Sequence, residues 1–189
     1  MNNILLLSQN TAEKFTLGAN DRLCILSLNS QNEIEVELKG EGAVFEYRSL
    51  ATQTISQKIH IFHNAPNTES FLFARHILSG DSRANFNGII EAGKNCPNVK
   101  SRQIVNSLLL SPNARAISKP ELKIYCDAVE CYHGATCGNL SEDDLFYLQS
   151  RGMTLENAKK ILQNAFAKEV AREHPSEEQK EKWKKILFV

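Results

Sequence analysis

In residues 33–39, EIEVELK, charged and apolar side chains alternate at every position. Successive side chains of a β-strand point to opposite faces, so this pattern predicts a strand with one buried face and one solvated face. Residues 121–128, ELKIYCDA, alternate in the same way. Similar apolar runs cover residues 23–28, 44–47, 55–61, 71–78, 86–90, 103–110 and 114–118. We therefore predict a mainly β fold over residues 1–138.

Turn-forming residues separate these runs at short and nearly regular intervals, which is typical of a sandwich, a barrel or a β-solenoid. Several asparagines favour the solenoid, because asparagines at turns can stack between successive coils. They are Asn85, Asn87, Asn95, Asn98, Asn106 and Asn113. No strict sequence repeat is visible, so the pattern alone leaves all three architectures open.

The period of the pattern changes after Gly138. Ser141 and Thr154 are suited to cap two helices, and Gly152 is suited to end the first. The apolar positions of the second helix recur every three or four residues and predict one buried face. These positions are Leu155, Ala158, Ile161, Leu162, Ala165, Phe166 and Val170. A charged tail, residues 177–189, carries Trp183, Ile186 and Leu187 on one side and predicts a third helix. We predict a small helical domain over residues 139–189.

The composition narrows the functional classes. Lys+Arg and Asp+Glu both total 22, so a basic surface for nucleic acid or an anionic membrane is not expected. No apolar run approaches the roughly 20 residues of a membrane span, and the first residues lack the basic start of a secretory signal. Five cysteines without a Cys-x-x-Cys pair predict a reducing compartment, the cytoplasm.

Residues 131–138, CYHGATCG, bring two thiols and an imidazole into one short segment. Thiolate and imidazole are ligands used by iron–sulfur sites. In a strand, Cys131 and His133 would share a face, about 6 to 7 Å apart. One strand supplies two ligands, so a cluster would need others from a second chain. The plain alternative is that Cys131 fills the core and His133 is a polar turn residue.

The remaining candidate ligands give weaker signals. We expect Cys24, Cys96, Cys126 and Cys137 to be structural. His60, His63 and His76 lack a third ligand at a recognisable spacing, so we predict a solvated polar face rather than a metal site. His60 and His63 are expected on a turn.

Phe146, Tyr147 and Leu148 follow one another, and they cannot all point inward on a helix. At least one of them is exposed or meets another surface, which would mark an interface. The alternative is that the tail helix with Trp183 covers them. Arg151 either pairs with an acidic partner or caps the end of the helix.

Three segments together resemble one known family. Residues 119–125 (KPELKIY), 129–136 (VECYHGAT) and 145–152 (LFYLQSRG) are similar to the C-terminal core of the SufB/SufD family, and to its SufD-like members in particular. Residues 86–88 (FNG) and 106–116 (NSLLLSPNARA) extend the similarity, which runs from about residue 71 to residue 170. These proteins are scaffold subunits of the SUF iron–sulfur cluster assembly system. The resemblance implies a right-handed parallel β-helix followed by a small helical domain.

The resemblance also implies a role. It suggests a non-enzymatic scaffold that pairs through its β-helix with a SufB-like subunit, or with a second copy of itself, and docks a SufC-like ATPase on its helical domain. The docking candidates are Leu145, Phe146, Tyr147, Leu148 and Arg151. A cluster would be held transiently near the subunit interface, with no tightly bound cofactor. His133 matches a family site residue, and Cys131 matches a common family cysteine.

The sequence also departs from the family. The β pattern starts almost at Met1, so the usual long N-terminal helical region is expected to be absent. Tyr132 stands where a small residue is usual. The competing interpretation is a β-solenoid interaction module without cluster chemistry, with a homodimer as one of its forms. A hydrolase is disfavoured because no convincing pair of carboxylates shares a face beyond solvated strand edges such as Glu33, Glu35 and Glu37.

Overall fold

The computed structural model of the chain describes the backbone of residues 2–172 and the side chains of residues 4–170. Strands precede helices in this part of the chain. The strands are β1 (Asn2–Leu7), β2 (Thr11–Leu17), β3 (Arg22–Leu28), β4 (Asn32–Leu38), β5 (Val44–Ala51), β6 (Ile55–His63), β7 (Glu69–Leu78), β8 (Arg83–Ala92), β9 (Val99–Leu109), β10 (Arg115–Ile124) and β11 (Val129–Gly138). The helices are α1 (Glu142–Ser150) and α2 (Leu155–Arg172).

Consecutive strands alternate between two sheets. The odd-numbered strands form a six-stranded sheet in the order β1-β3-β5-β7-β9-β11, and the even-numbered strands form a five-stranded sheet in the order β10-β8-β6-β4-β2. Every pairing is parallel. Each coil of the chain thus adds one strand to each sheet. This arrangement is a parallel β-solenoid, and the two helices follow it.

The alternation in residues 33–39 explains how the core is filled. Ile34, Val36 and Leu38 are buried between the two sheets, whereas the glutamates between them face outward. The same inner face continues in neighbouring strands, because the parallel register places like positions side by side. It contributes Phe45, Tyr47, Ile59, Ile61, Leu72, Phe86, Ile90 and Val105 to one apolar cluster.

Asparagines do stack at one corner of the solenoid. The Asn98 side-chain amide donates to Asn67 Oδ1 across 3.0 Å, and both residues have positive φ, 60° and 56°. Left-handed backbone is tolerated by asparagine better than by most residues. The expectation that asparagines stack at turns of a solenoid is therefore confirmed for Asn98. Asn85, Asn87 and Asn106 instead lie within strands of the solenoid.

The prediction was also wrong about the last strand of the five-stranded sheet. We expected two strands there, but β10 is continuous from Arg115 to Ile124, and Cys126 lies in the following connection. Pro120 sits inside β10 and is tolerated because β10 is an edge strand. For the same reason Leu122 is only half-buried and Ile124 is exposed.

Both helices begin, and α1 ends, where the sequence predicts. Ser141 Oγ accepts the backbone N–H of Asp144 at 3.2 Å, and Thr154 Oγ1 accepts that of Asn157 at 3.2 Å. Gly152 follows the end of α1 with φ of +89°. The third helix predicted for residues 177–189 lies outside the described residues. Within the part of the chain that the structure describes, neither helix is long and apolar enough to cross a membrane.

The predicted buried face of α2 is only partly correct. Ala158, Ala167 and Val170 are buried, but Leu155 and Ile161 are exposed. Helix α2 packs on the outer face of the six-stranded sheet, against β5 and β7, and it also contacts α1. The sheet and α1 together cover only part of the apolar face of α2.

Candidate functional site

Cys131 and His133 lie on β11, the edge strand of the six-stranded sheet. Side chains two positions apart share a face of a strand. Cys131 pairs in register with Ser101 of β9, and His133 pairs with Gln103. Ser101 and Gln103 are buried in the solenoid, so the two β11 side chains continue its inner face. The structure therefore brings the predicted pair together on one face.

The pair lies at the open end of the solenoid. Cys131 is half-buried, and His133 is exposed although its face continues the core. Both β10 and β11 are edge strands, so no further coil covers them among residues 2–172. A second molecule could therefore reach both side chains.

Cys131 packs at the edge of a small apolar cluster formed by Ala92, Cys96 and Val99. Burial raises the pKa of its thiol above the usual value. A metal ion binds the thiolate, so iron would have to displace the thiol proton. Cys131 thus packs against core residues, as the core alternative expected, and it also stays accessible, as a ligand role requires.

The pair is not a complete metal site. Among the residues that the structure describes, no group of three or more His, Cys, Asp or Glu side chains is arranged to hold a metal ion. Two ligands bind iron weakly, and an iron–sulfur cluster commonly has four. Any cluster at this position would need further ligands from another chain.

The other cysteines differ in their surroundings, and all five are free thiols. Cys137 is exposed on β11. Burial and the nearby Glu46 carboxylate raise the pKa of Cys24, and burial raises that of Cys96, which donates to the carbonyl oxygen of His63 at 3.0 Å. Cys126 is partly buried in the connection before β11. Cys137 is six positions from Cys131 on β11, so it shares the same face but lies about 20 Å farther along the strand. Cys96 belongs to the buried cluster that Cys131 packs against.

The predicted solvated histidine face is wrong. His63 is buried, and its ring nitrogens lie 2.8 Å from Thr68 Oγ1 and 2.9 Å from Ser70 Oγ. His76 is also buried, with Nδ1 2.9 Å from Ser107 Oγ. Burial lowers the pKa of each imidazole to about 4. Both are neutral core residues whose hydrogen bonds are made by serine and threonine.

His60 stands apart from those two. It lies in strand β6 rather than on a turn, three residues before His63, and therefore on the opposite face. Its Nε2 atom is 3.6 Å from a Glu91 carboxylate oxygen on the outer surface. Desolvation lowers its pKa, and the Glu91 carboxylate opposes this shift. The spacing His60-x-x-His63 thus does not form a metal pair.

Tyr132 points to the outer face, between Cys131 and His133 in sequence. Its ring centroid lies 5.8 Å from the Arg102 guanidinium, and the same guanidinium is 6.0 Å from the ring of Phe71. A Cβ at Gly134 would meet the Tyr132 hydroxyl at 3.3 Å, so the ring lies close to that glycine. The bulky residue at position 132 therefore occupies the outer surface and leaves the inner face free.

Helix α1 presents the predicted docking residues in two groups. Phe146 is 73% exposed and Tyr147 is 56% exposed, whereas Leu145 and Leu148 are half-buried. The Arg151 guanidinium lies 5.3 Å from the Tyr147 ring centroid. The described part of the chain thus leaves an aromatic and arginine patch open to solvent. Any cover by Trp183 falls on residues outside those described.

Two arginines that the sequence did not single out join α2 to the solenoid. Arg48 of β5 is buried, pairs with Glu46 and donates to the carbonyl oxygen of Val170 at 2.7 Å. Arg75 of β7 pairs with Glu169. Its guanidinium also lies 4.3 Å from the ring centroid of Phe166. These contacts anchor the end of α2 on the outer face of the sheet.

The β-solenoid followed by two helices agrees with what comparison with known proteins finds. One protein-family model matches residues 21–166, which is more than half of the chain. This family is described as the SufBD core domain of SUF system FeS cluster assembly. The chain belongs to the SufB/SufD family. Its similarity to iron–sulfur cluster assembly protein SufD of Escherichia coli is 31% identity over 175 residues, 89% of this chain and 40% of that protein.

Other relatives support a SufD-like member of the family. Protein ABCI7, a chloroplast protein of Arabidopsis thaliana, is 35% identical over 127 residues, 67% of this chain and 27% of the relative. The SufBD family protein slr0076 of Synechocystis is 35% identical over 167 residues, 84% of this chain and 37% of the relative. This SufB/SufD family chain therefore spans less than half the length of these relatives.

Proposed function

We propose that this chain acts as a non-enzymatic scaffold subunit in SUF-type iron–sulfur cluster assembly. In this proposal it pairs with a SufB-like subunit at the open end of its solenoid and docks a SufC-like ATPase on α1. The nascent cluster is cargo held transiently between the two scaffold subunits. The observation that carries the proposal is the Cys131 and His133 pair, an incomplete ligand set on the uncovered inner face of β11.

The edge strands support the pairing. An unpaired strand edge exposes backbone donors and acceptors that another strand can use. This end of the solenoid also exposes large apolar side chains, namely Ile117, Ile124, Tyr125 and Tyr132. A partner coil with strands placed along both β10 and β11 would cover part of these groups and bring its own side chains to Cys131 and His133.

The exposed side of α1 supports the ATPase docking. Phe146, Tyr147 and Arg151 form a patch of the residue types enriched in interface cores. Helix α1 contacts α2, and α2 is anchored on the sheet through Arg48 and Arg75. A movement imposed on α1 by an ATPase would therefore reach strands β5 and β7.

Co-expression with a SufC-like ATPase and a SufB-like chain, followed by affinity capture of this chain, tests the partners. We expect both to be recovered. Replacing Phe146 and Tyr147 together by serine should remove the ATPase and keep the SufB-like chain. Gln149→Ser, an exposed polar change on the same helix, is the matched control and should lose neither. Recovery of neither partner by the unaltered chain would contradict the proposal.

The ligand role needs its own test, which is cluster formation on the captured complex. Cys131→Ser and His133→Ala should reduce the iron and sulfide content and leave both partners bound. Cys137→Ser, an exposed thiol on the same strand, is the control and should have little effect. If neither ligand variant changes the cluster content, the chain is an interaction module without cluster chemistry, as the competing interpretation holds.

The predicted cytoplasmic location stays a prediction. Five free thiols suit a reducing compartment. The relatives include both a bacterial protein and a chloroplast protein, so the compartment is not decided by membership of the family.

A further inference from the structure

The residue beneath His133 in the stack of strands is Gln103. The two residues pair in register on the parallel strands β11 and β9. Neighbouring strands lie about 4.8 Å apart, so side chains of paired residues on one face are in reach of each other. Gln103 is fully buried, whereas His133 is exposed. The Gln103 amide is thus a polar group in the core, on the strand next to the edge strand β11.

The orientation of the Gln103 amide is fixed by a glycine across the core. Gln103 Nε2 donates to the carbonyl oxygen of Gly88 at 3.2 Å. A carbonyl can only accept a hydrogen bond, so the nitrogen must face Gly88 and the oxygen must be the other atom. A Cβ at position 88 would lie 2.2 Å from Nε2. The missing side chain at Gly88 therefore makes room for this arrangement.

The amide oxygen is left with an unused acceptor. Gln103 Oε1 is buried and has no hydrogen-bond partner among the described residues. Its two neighbours in register are Leu72 on β7 and His133 on β11. Leu72 has no donor, whereas a neutral imidazole always carries one N–H. Of these two neighbours, His133 alone can satisfy the oxygen.

We propose that Gln103 is a positioning residue for His133. Its Oε1 atom accepts one ring N–H of His133, which fixes the tautomer and leaves the other ring nitrogen unprotonated for a metal ion. Metal-binding histidines commonly donate their second ring N–H to such an acceptor, and its loss weakens metal binding by about 10- to 100-fold. The inference rests on the proposed function, because the metal in question is the iron of the cluster.

The tautomer of His133 is the direct measurement. The full chain, labelled with ¹⁵N-histidine, is examined by long-range ¹H–¹⁵N NMR at pH 8, with His133→Gln used to assign the signal. We expect one dominant tautomer in the unaltered chain. Gln103→Met should give a mixture of both tautomers, while Gln103→Glu, which retains an acceptor oxygen, should keep one. Leu72→Met, on the other side of Gln103, is the matched control and should change nothing.

Metal binding gives a second measurement on the same samples. Zn²⁺ alone is titrated into the chain and followed at the His133 signal. Gln103→Met should weaken this binding about tenfold, and Gln103→Glu should restore it. A mixture of tautomers in the unaltered chain, or a tautomer that Gln103→Met leaves unchanged, would overturn the inference. If Gln103→Met does not fold, the unaltered chain and Gln103→Glu still decide.

The two proposals fail in different ways. If Gln103 sets the tautomer but His133→Ala leaves cluster formation unchanged in the captured complex, the proposed function fails and the positioning role stands. If cluster formation needs His133 but the tautomer of His133 does not depend on Gln103, the positioning role fails and the proposed function stands.

Discussion

The buried Arg48 guanidinium donates to the carbonyl oxygen of Val170 across 2.7 Å, although the two residues are 122 positions apart in the chain. Arg48 is 1% exposed and pairs with Glu46 on the same strand. Its guanidinium also lies 5.1 Å from the ring centroid of Phe71 and 5.8 Å from that of Phe73. One buried cation thus connects the solenoid to the last described turns of α2.

Arg48→Met should destabilise the fold strongly. The change removes the cation that pairs with the partly buried Glu46 carboxylate, and removal of one member of a buried ion pair typically costs about 3–5 kcal/mol. Arg75→Met is the comparison, because its partner Glu169 is 44% exposed and the loss should be only about 1 kcal/mol. Urea unfolding measures both. The double variant Glu46→Gln, Arg48→Met should recover part of the loss, and equal effects of the two single variants would contradict this interpretation.

Acid should destabilise the solenoid through His63 and His76. Burial lowers the pKa of each to about 4, whereas the unfolded imidazoles titrate near the ordinary 6.5. Between these values the unfolded chain binds protons that the folded chain does not. The free energy of unfolding therefore falls as the pH drops from about 6.5 to 4, by up to about 3 kcal/mol for each histidine.

Urea unfolding at several pH values between 7.5 and 4 measures this effect. His63→Gln and His76→Gln should each flatten the pH dependence. His133→Gln leaves the buried pair intact and should not flatten it. An unchanged slope in both buried-site variants would show that other groups govern the acid response.

Much of the fold could be predicted from local patterns, because a period of two marks a half-buried strand wherever it occurs. The alternation around Ile34 and Val36 gave the strand, and the spacing of Cys131 and His133 gave their shared face. Parallel and antiparallel strands show the same alternation, so the choice of a solenoid depended on the family resemblance. The stacking of Asn98 on Asn67 agrees with it.

The residues that sequence reasoning missed depend on contacts between distant strands. Gln103 and Arg48 look like ordinary polar strand residues until the register places them beside His133 and α2. His63 and His76 were wrongly predicted to lie on a solvated face, because polar side chains such as histidine are more often exposed than buried. One ring nitrogen of each instead lies within hydrogen-bond distance of a serine on another strand, Ser70 for His63 and Ser107 for His76.

Cys131 should react more slowly with alkylating reagents than Cys137. Burial raises the pKa of the Cys131 thiol and restricts access to it, whereas Cys137 is exposed on the same strand. Since the thiolate is the nucleophile, we expect about a tenfold difference in rate at pH 8. Iodoacetamide labelling followed by mass spectrometry of the peptides measures it. Buried Cys24 is the slow reference, and faster labelling of Cys131 than of Cys137 would contradict the structure.

Gly88→Ala should destabilise the protein through Gln103. The added Cβ would lie 2.2 Å from Gln103 Nε2 and 2.8 Å from Phe86 Cε1, so one of these groups must move in a packed core. Overpacking of this kind costs about 1–3 kcal/mol. Shortening the amide with Gln103→Ser should relieve part of the clash, so the double variant should lose less free energy of unfolding than the sum of the single losses. Urea unfolding of the four proteins gives this coupling, and strict additivity would mean that Gly88 does not hold the Gln103 amide in place.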